Sequence, residues 1–136
     1  MDLQDIKTPG LSCDLHDNPD IKERELALSH KILMSVEKPA RYIGGESGSV
    51  INDKEKVNVR FAFCFPDSYD IGMSHLGMKI LYSLTNQRED YWCERVFAPG
   101  TDFEEIMRRE NIPLYAIESL DPVKDFDFIG FTMQYE

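Results

Sequence analysis

Cysteine is scarce in this sequence, and its three copies lie far apart. Cys13, Cys64 and Cys93 form an odd number and lack the close spacing of zinc ligands. A small secreted domain held together by disulfide bonds would need an even and denser set of cysteines. The cysteine content therefore indicates neither a disulfide framework nor a zinc site.

Basic residues are fewer than acidic ones, and long apolar runs are absent from the sequence. Lys and Arg total 15 against 25 Asp and Glu, so the net charge is −10, which repels phosphate backbones. No apolar run is long enough to cross a bilayer, and residues 1–31 lack the basic start and apolar centre of a secretion signal. We therefore predict a cytoplasmic protein whose 136 residues bind neither nucleic acid nor a membrane.

The chain is organised around a strand, a loop and a helix between Val57 and Leu84. Residues 57–65 alternate with period two and are rich in β-branched and aromatic residues. Beyond Arg60 the run is apolar on both faces, which is typical of a parallel sheet covered by helices on either side. Pro66 cannot donate to a strand ladder, so we expect the strand to end there.

After this strand, residues 67–72 are predicted to form a polar loop. Ser74 is a suitable N-cap for the helix that follows, and the apolar positions of that helix are expected to face the sheet. These positions are Leu76, Ile80, Leu81 and Leu84. The loop then lies at the carboxyl end of a central strand, where open α/β sheets bind their ligands.

The later elements complete an α/β pattern. They are a strand at Trp92–Phe97, a helix, a short edge strand at Leu114–Ile117 and a last strand at Phe126–Met133. The helix is predicted to start with a capping box at Thr101–Glu104, to bury Phe103, Ile106 and Met107, and to end at Asn111. Right-handed crossovers place the first strand between the second and the last. We therefore predict a flavodoxin-like (Rossmann-like) parallel sheet with strand order 2-1-3.

The chain divides into three parts. Residues 1–17 are predicted to be a flexible tail, residues 18–52 an N-terminal helix to about Val36 followed by a glycine-rich connector, and residues 53–136 a partial α/β domain. The helix is expected to dock its apolar stripe on the sheet, and His16 and His30 are expected at the surface. The connector matches no phosphate-binding motif, so turn geometry explains its glycines.

The last strand has a core composition with nothing to cover it, so we expect an incomplete domain.

The loop after the first strand resembles a cobalamin-binding motif. Cobalamin-binding domains of the methionine synthase and mutase type carry D-x-H-x-x-G at this place, and here the residues are D-S-Y-D-I-G, from Asp67 to Gly72. The resemblance implies cofactor contacts from Asp67, Ser68, Tyr69 and Gly72. Tyr69 replaces the histidine that binds cobalt, and a phenol is a poorer cobalt ligand than imidazole at neutral pH. We therefore expect a cobalamin bound here to lack a protein nitrogen ligand on its lower face.

A second cobalamin motif in those domains is S-x-L, just after the last strand. Its serine hydrogen-bonds the buried tail of the cofactor. Here the residues are T-M-Q, from Thr132 to Gln134, so Thr132 keeps a hydroxyl while Gln134 replaces the apolar residue. The resemblance therefore implies Thr132 as a further cofactor contact.

Several separated blocks resemble the amino-terminal region of a family of radical S-adenosylmethionine (SAM) proteins with a cobalamin-binding-like domain. The blocks are KPARYIGGE (38–46), FPDSYDIGMSHLG (65–77), ERVFAP (94–99), IPL (112–114) and DFDFIGFTMQYE (125–136). Together they extend over about residues 30–136. The resemblance implies an iron–sulfur oxidoreductase in which this domain positions cobalamin near the radical site.

The radical chemistry itself is expected outside this chain. No C-x-x-x-C-x-x-C triplet occurs in the sequence, so the iron–sulfur cluster and S-adenosylmethionine are expected in a downstream domain. We therefore expect no catalytic residue, no metal ligand and no activity from this chain alone. Its expected partner is its own downstream radical enzyme domain, and the exposed sheet edge also allows a homodimer.

Other interpretations of the same residues remain open. The chain can be a Rossmann-like domain that packs against or gates a catalytic barrel and binds no cofactor. His75 is either a rival axial ligand or a residue packed locally at the helix start. Asp67 and Asp70 also suggest paired catalytic carboxylates or a magnesium site, although no matching threonine and lysine pattern follows. The sequence specifies neither the substrate nor the role of the block at 38–46.

Overall fold

The fold is built on a three-stranded parallel sheet, described by a computed structural model over residues 29–133. In chain order the elements are α1 (His30–Leu33), a 3-10 turn (Pro39–Arg41), β1 (Val59–Ser68), α2 (Tyr69–Ser74), α3 (Leu76–Asn86), β2 (Tyr91–Ala98), α4 (Thr101–Glu110), a second 3-10 turn (Val123–Asp125) and β3 (Phe128–Phe131). The strand order is β2-β1-β3, with both pairs parallel. The predicted 2-1-3 order is confirmed, and the α/β architecture is consistent with a flavodoxin-like or Rossmann-like fold.

The central strand β1 extends further than predicted at its carboxyl end. It pairs with β2 as far as Phe65, and after a register shift the pairing resumes between Ser68 and Ala98. The expectation that the strand ends at Pro66 is therefore wrong. Pro66 and Asp67 lie in this irregularity, where the missing proline N–H removes no bond from the ladder.

Residues 67–72 do not form the predicted polar loop. Asp67 and Ser68 belong to β1, and the residues after them form the short helix α2. Ser74 ends α2 and does not cap α3. The cap of α3 is His75, whose Nδ1 accepts a hydrogen bond from the Met78 amide at 3.1 Å. His75 thus has the local, helix-start role that was one of its two interpretations.

The side of helix α3 that faces the sheet is not the side predicted. Met78 and Tyr82 are its buried residues, and they pack in a cluster with aromatic side chains of β1 and β2. The four residues expected to face inward are 49–69% exposed; they are Leu76, Ile80, Leu81 and Leu84. Because α3 carries apolar residues on two opposite sides, its periodicity could not decide between them. The Tyr82 hydroxyl favours the observed side because it accepts the Val50 amide at 2.7 Å.

The second strand and the helix after it agree with prediction in position and in core residues. Strand β2 covers the predicted strand, and the three residues expected to be buried in α4 are buried. Asn111 ends α4 in the left-handed conformation at φ 55°. The predicted capping box is wrong, because the N-cap is Gly100 and no side chain caps the helix. The Asp102 carboxylate instead accepts the Glu37 amide at 2.9 Å.

The two edges of the sheet, at β2 and at β3, have different neighbours. Beside β2, the predicted strand at 114–117 is reduced to one antiparallel bridge between Tyr115 and Pro122, while the Ile117 amide donates to the Arg95 carbonyl at 2.9 Å. On the other side β3 is shorter than predicted, and Phe126, which precedes it, is buried. Within residues 29–133, no strand pairs with the outer edge of β3.

The amino-terminal part of the described chain packs on α4. Helix α1 follows an N-cap at Ser29 and ends at Leu33, before the predicted end at Val36. Val36 is buried in the cluster formed around α4, and Ile32 and Leu33 pack against it, so this described part of the apolar stripe docks on a helix and not on the sheet. His30 is exposed, as predicted, whereas the predicted tail, His16 and the start of the predicted helix lie outside the described residues. None of the helices in residues 29–133 has the length and apolar character needed to span a membrane.

Candidate functional site

The predicted site residues divide into two groups at the carboxyl edge of the sheet. Asp67, Ser68, Tyr69 and Gly72 lie at or just after the end of β1, whereas Thr132 follows β3. Tyr69 and Gly72 both approach the Phe97 ring of β2. The Thr132 amide donates to a carbonyl of β1 at 3.1 Å. The structure therefore separates Thr132 from the motif residues that contact β2.

Tyr69, in the position of the cobalt-binding histidine, makes its hydrogen bond inside the domain. Its hydroxyl donates to Oε1 of Glu46 at 2.8 Å, and its ring meets Phe97 edge-on, with ring centres 5.4 Å apart. Burial and the hydrogen bond to the Glu46 carboxylate raise the pKa of Tyr69 to about 12. The phenol therefore stays protonated at neutral pH and is engaged by the protein itself.

Glu46 is the acceptor that joins the block at 38–46 to the sheet edge. Besides Tyr69, it accepts from the Ser49 hydroxyl at 3.0 Å and from the Arg95 guanidinium at 3.2 Å. Burial by itself would raise the pKa of Glu46, but hydrogen bonds from its own amide, Tyr69 and Ser49, together with the charge of Arg95, lower it. Glu46 is thus an ionised, fully engaged carboxylate.

Arg95 connects four parts of the chain, although no sequence motif predicted a role for it. It lies on β2 with 8% of its side chain exposed and pairs with Glu118 at 2.6 Å as well as with Glu46. Its guanidinium also contacts the Met73 sulfur at 3.0 Å and lies 4.6 Å from the centre of the Tyr82 ring. Burial raises the pKa of Glu118 against the opposing attraction of Arg95. The signal for this network was a charged pair, E-R, inside an otherwise apolar strand.

The block at 38–46 closes over the carboxyl ends of β1 and β2. Arg41 forms an ion pair with Asp70 of α2. The Tyr42 hydroxyl accepts the Gly100 amide at 3.1 Å, and the Tyr42 carbonyl accepts the Tyr115 hydroxyl at 3.0 Å. The sequence specified no role for this block, and these contacts attach it to α2, to the start of α4 and to Tyr115. From here on, the connector means residues 38–50 of the glycine-rich segment.

Two glycines are needed for close packing at this edge. Gly44 has φ 65°, and a Cβ there would lie 2.1 Å from the Ile117 carbonyl oxygen. A Cβ on Gly72 would lie 2.3 Å from the Phe97 ring. The turn geometry predicted for the connector glycines is supported by positive φ at Gly44, Gly45 and Gly48, and Gly72 contributes space for an aromatic ring.

The two aspartates of the motif act separately. The Asp67 carboxylate accepts the adjacent Ser68 amide at 2.6 Å, whereas Asp70 pairs with Arg41. Among residues 29–133 no group of three or more His, Cys, Asp or Glu side chains is placed to hold a metal ion. The interpretation of Asp67 and Asp70 as a magnesium pair therefore gains no support from their contacts.

Thr132 is a predicted site residue with a buried side-chain atom that lacks a hydrogen-bond partner within residues 29–133. Its Oγ1 is buried and has no hydrogen-bond partner within the described part of the chain. A buried hydroxyl without a partner costs free energy. A further polar contact to this atom would therefore stabilise the fold.

The cavities at the carboxyl edge are small or shallow. The cavity beneath the connector has a volume of about 20 Å³, and its walls include Arg41, Tyr42, Tyr69, Phe97 and Tyr115. A larger open depression of about 410 Å³ lies against α4, but none of the predicted site residues lines it. Pockets for drug-sized ligands usually measure about 300–1,000 Å³, and about 20 Å³ is close to the space for one water molecule.

The two described cysteines are buried thiols on neighbouring strands. Burial raises the pKa of Cys64 to about 11. Burial and the nearby carboxylates of Glu118 and Glu94 raise the pKa of Cys93 to about 12. A thiol that resists ionisation is a poor nucleophile and a poor metal ligand. Both cysteines therefore serve the core.

A comparison with protein families gives one match. Residues 77–136 fit the model of a family described as radical SAM proteins, N-terminal. Over these residues the chain is similar to the amino-terminal part of radical SAM proteins. Its matched residues include β2, α4, β3 and Thr132 but leave out the connector and Tyr69. The radical SAM match therefore supports the wider resemblance and does not extend to the cobalamin-like motif.

Two further comparisons found no relative. No curated protein matches the chain, and no solved structure matches it.

Proposed function

We propose that this chain is the amino-terminal domain of a cytoplasmic radical SAM iron–sulfur enzyme, and that it packs on the cluster-bearing domain without supplying a catalytic residue. The match over residues 77–136 supports the family. The observation that carries the packing role is the closed carboxyl edge: the connector fills the place where open α/β sheets usually bind ligands, through Arg41, Tyr42 and Glu46. A domain whose ligand edge is closed by its own chain is suited to support, not to cofactor chemistry.

The residues at this edge do not fit a cobalamin. Tyr69 stands in the position of the cobalt-binding histidine, and its hydroxyl already donates to Glu46. The cavity beside it has a volume of about 20 Å³, and aromatic side chains occupy the space around it. A nucleotide tail would have to displace the connector before it could enter between the strands and the helices.

A second candidate function is that this domain positions cobalamin near the radical site. One observation favours it: Thr132 Oγ1, at the place of the tail-binding serine, is buried without a partner in residues 29–133. The position of the Asp67–Gly72 motif after the central strand also agrees with it. A titration with hydroxocobalamin separates the two candidates, since saturable binding supports the second and its absence supports the first.

The proposed radical SAM function assigns the cluster to another part of the full-length protein. In such enzymes an iron–sulfur cluster and S-adenosylmethionine supply the radical. Cys64 and Cys93 lie on adjacent strands, are buried and hold their protons. They are therefore available for packing and not for binding iron.

The test is cluster content and S-adenosylmethionine cleavage in the full-length protein purified without oxygen. We expect a reducible cluster, release of 5′-deoxyadenosine, and no loss of iron when Cys64 and Cys93 are both replaced by alanine. Absence of both the cluster and the cleavage would overturn the proposed family function. Loss of iron in the double variant of a folded protein would overturn the assignment of the cluster to the other domain.

A further inference from the structure

The outer side of α3 carries a stripe of exposed apolar residues. Leu76 is 69% exposed, Ile80 49%, Leu81 53% and Leu84 54%. Their spacing along the chain places them on one side of a helix, opposite the buried Met78 and Tyr82. We call these four residues the α3 stripe. A helix that is apolar on both sides is normally covered on both.

The α3 stripe lies in the longest part of the sequence that is free of acidic residues. From residue 71 to residue 88 the chain contains no Asp or Glu, and its charged side chains there are Lys79 and Arg88. The whole chain carries 25 acidic residues and a net charge of −10. Depletion of charge is typical of the centre of a protein interface. The cation at Lys79 also suits a partner with a carboxylate beside its apolar contact.

The size of the α3 stripe distinguishes between kinds of partner. At the observed exposures, its side chains present on the order of 300–400 Å² of apolar surface. An interface between domains of one chain buries about 300–750 Å² on each side, whereas a stable complex of separate chains needs about 800 Å² per partner. A tethered domain tolerates the smaller area because the linker gives it a high effective concentration.

We propose that the α3 stripe is the surface on which the cluster-bearing domain of the same polypeptide docks. The inference rests on the proposed radical SAM function, because that function supplies the second domain. The docking segment presents an apolar ridge to Leu76, Ile80 and Leu84, with a carboxylate placed to meet Lys79. The α3 stripe, and not the carboxyl edge of the sheet, then holds the two domains in register.

The test measures the accessibility of a reporter cysteine in the full-length protein and in the 136-residue chain. Leu81→Cys reports on the α3 stripe, and Ile51→Cys, 63% exposed in the loop before β1, is the matched control. Both are made with Cys13 replaced by serine, and maleimide labelling of the peptide that carries the reporter is followed over time by mass spectrometry, because the full-length protein also contains the cluster cysteines. We expect equal rates in the 136-residue chain and at least a tenfold slower rate for Leu81→Cys alone in the full-length protein.

Two outcomes would overturn the inference. Equal labelling of Leu81→Cys and Ile51→Cys in the full-length protein would show that the α3 stripe is uncovered. Protection of Leu81→Cys in the 136-residue chain that increases with protein concentration would assign the surface to a second copy. Both outcomes are independent of the proposed function, which stands or falls on the cluster and on S-adenosylmethionine cleavage.

Discussion

At the scale of the residue, Tyr69 decides how the carboxyl edge of the sheet is used. Its hydroxyl binds Glu46, which in turn holds Ser49 and Arg95. The bond joins residues 23 positions apart and fixes the connector above the end of β1. A motif position that resembles a cofactor ligand is therefore occupied by an internal hydrogen bond.

We expect Tyr69→Phe to lower the free energy of unfolding by about 1 kcal/mol, because it removes one hydrogen bond to a charged acceptor that keeps its other donors. Urea denaturation followed by circular dichroism measures the change. Tyr91→Phe is the control, since its hydroxyl makes no hydrogen bond within residues 29–133, and its effect should stay within about 0.5 kcal/mol. Equal effects of the two substitutions would contradict the role assigned to Tyr69.

The buried thiols predict a loss of stability at alkaline pH. The folded pKa values of Cys64 and Cys93 are about 11 and about 12, against 9.0 for an unperturbed thiol. The unfolded chain therefore releases these protons first, so the thiols contribute their full stability below about pH 9 and lose it as the pH rises towards their folded pKa values. Urea midpoints between about pH 8 and pH 11 measure the fall. Cys93→Ala should make the fall shallower, and an unchanged slope would contradict this origin of the pH dependence.

Residue identities indicated where the motif lies but not which side chains it contacts, and the reason is physical. Asp67, Tyr69 and Gly72 were recognisable from their spacing, and all lie at or next to the end of β1, where the sequence placed them. Their partners Glu46 and Phe97 are distant in sequence. Local patterns give the position of a side chain, whereas its partners depend on how the chain returns to that place.

At the scale of the element, the strands were more predictable than the orientation of α3. Alternating and continuous apolar residues predicted β1 and β2 well, because a short apolar run of this kind is typical of a strand that is buried on both faces. Helix α3 has apolar residues on both sides, so the buried side follows from Tyr82 and its bond to Val50. The end of β1 depended on a bulge at Pro66, which the sequence does not reveal.

The start of α3 gives a prediction at this scale. His75→Ala removes the acceptor for the Met78 amide and should lower the free energy of unfolding by about 1 kcal/mol, as is typical for loss of an N-cap. His75→Asn supplies a strong N-cap side chain in the same place and should retain most of the stability. Chemical denaturation of the two variants is the measurement. The His75 ring also lies 5.4 Å from the Phe65 ring, centre to centre, and equal destabilisation by Ala and Asn would show that His75 acts through this contact and not as a cap.

At the scale of the whole molecule, the Arg95 network holds separate parts of the chain together. Arg95 on β2 contacts Glu46 in the connector, Met73 in α2 and Glu118 in the segment after α4. On the neighbouring position of β2, the buried Glu94 pairs with Arg60 of β1. The connector is therefore part of the domain, although the sequence placed it in a separate region.

We expect Arg95→Met to cost about 3–5 kcal/mol of unfolding free energy, because Glu118 would remain buried without its cation. Adding Glu118→Gln should recover part of that loss, since it removes the unpaired charge. Arg88→Met breaks an exposed pair with Asp90 and should cost about 1 kcal/mol or less. A loss for Arg95→Met no larger than that for Arg88→Met would contradict the proposed network.

The most direct test of a closed, cofactor-free carboxyl edge is a titration of the full-length protein with hydroxocobalamin, followed by visible absorbance. We predict no saturable spectral change for the unmodified protein, for Tyr69→Ala or for Thr132→Val, with folding checked by circular dichroism. Saturable binding by the unmodified protein that either substitution weakens would contradict the account. That result would make the domain a cobalamin carrier whose connector moves aside.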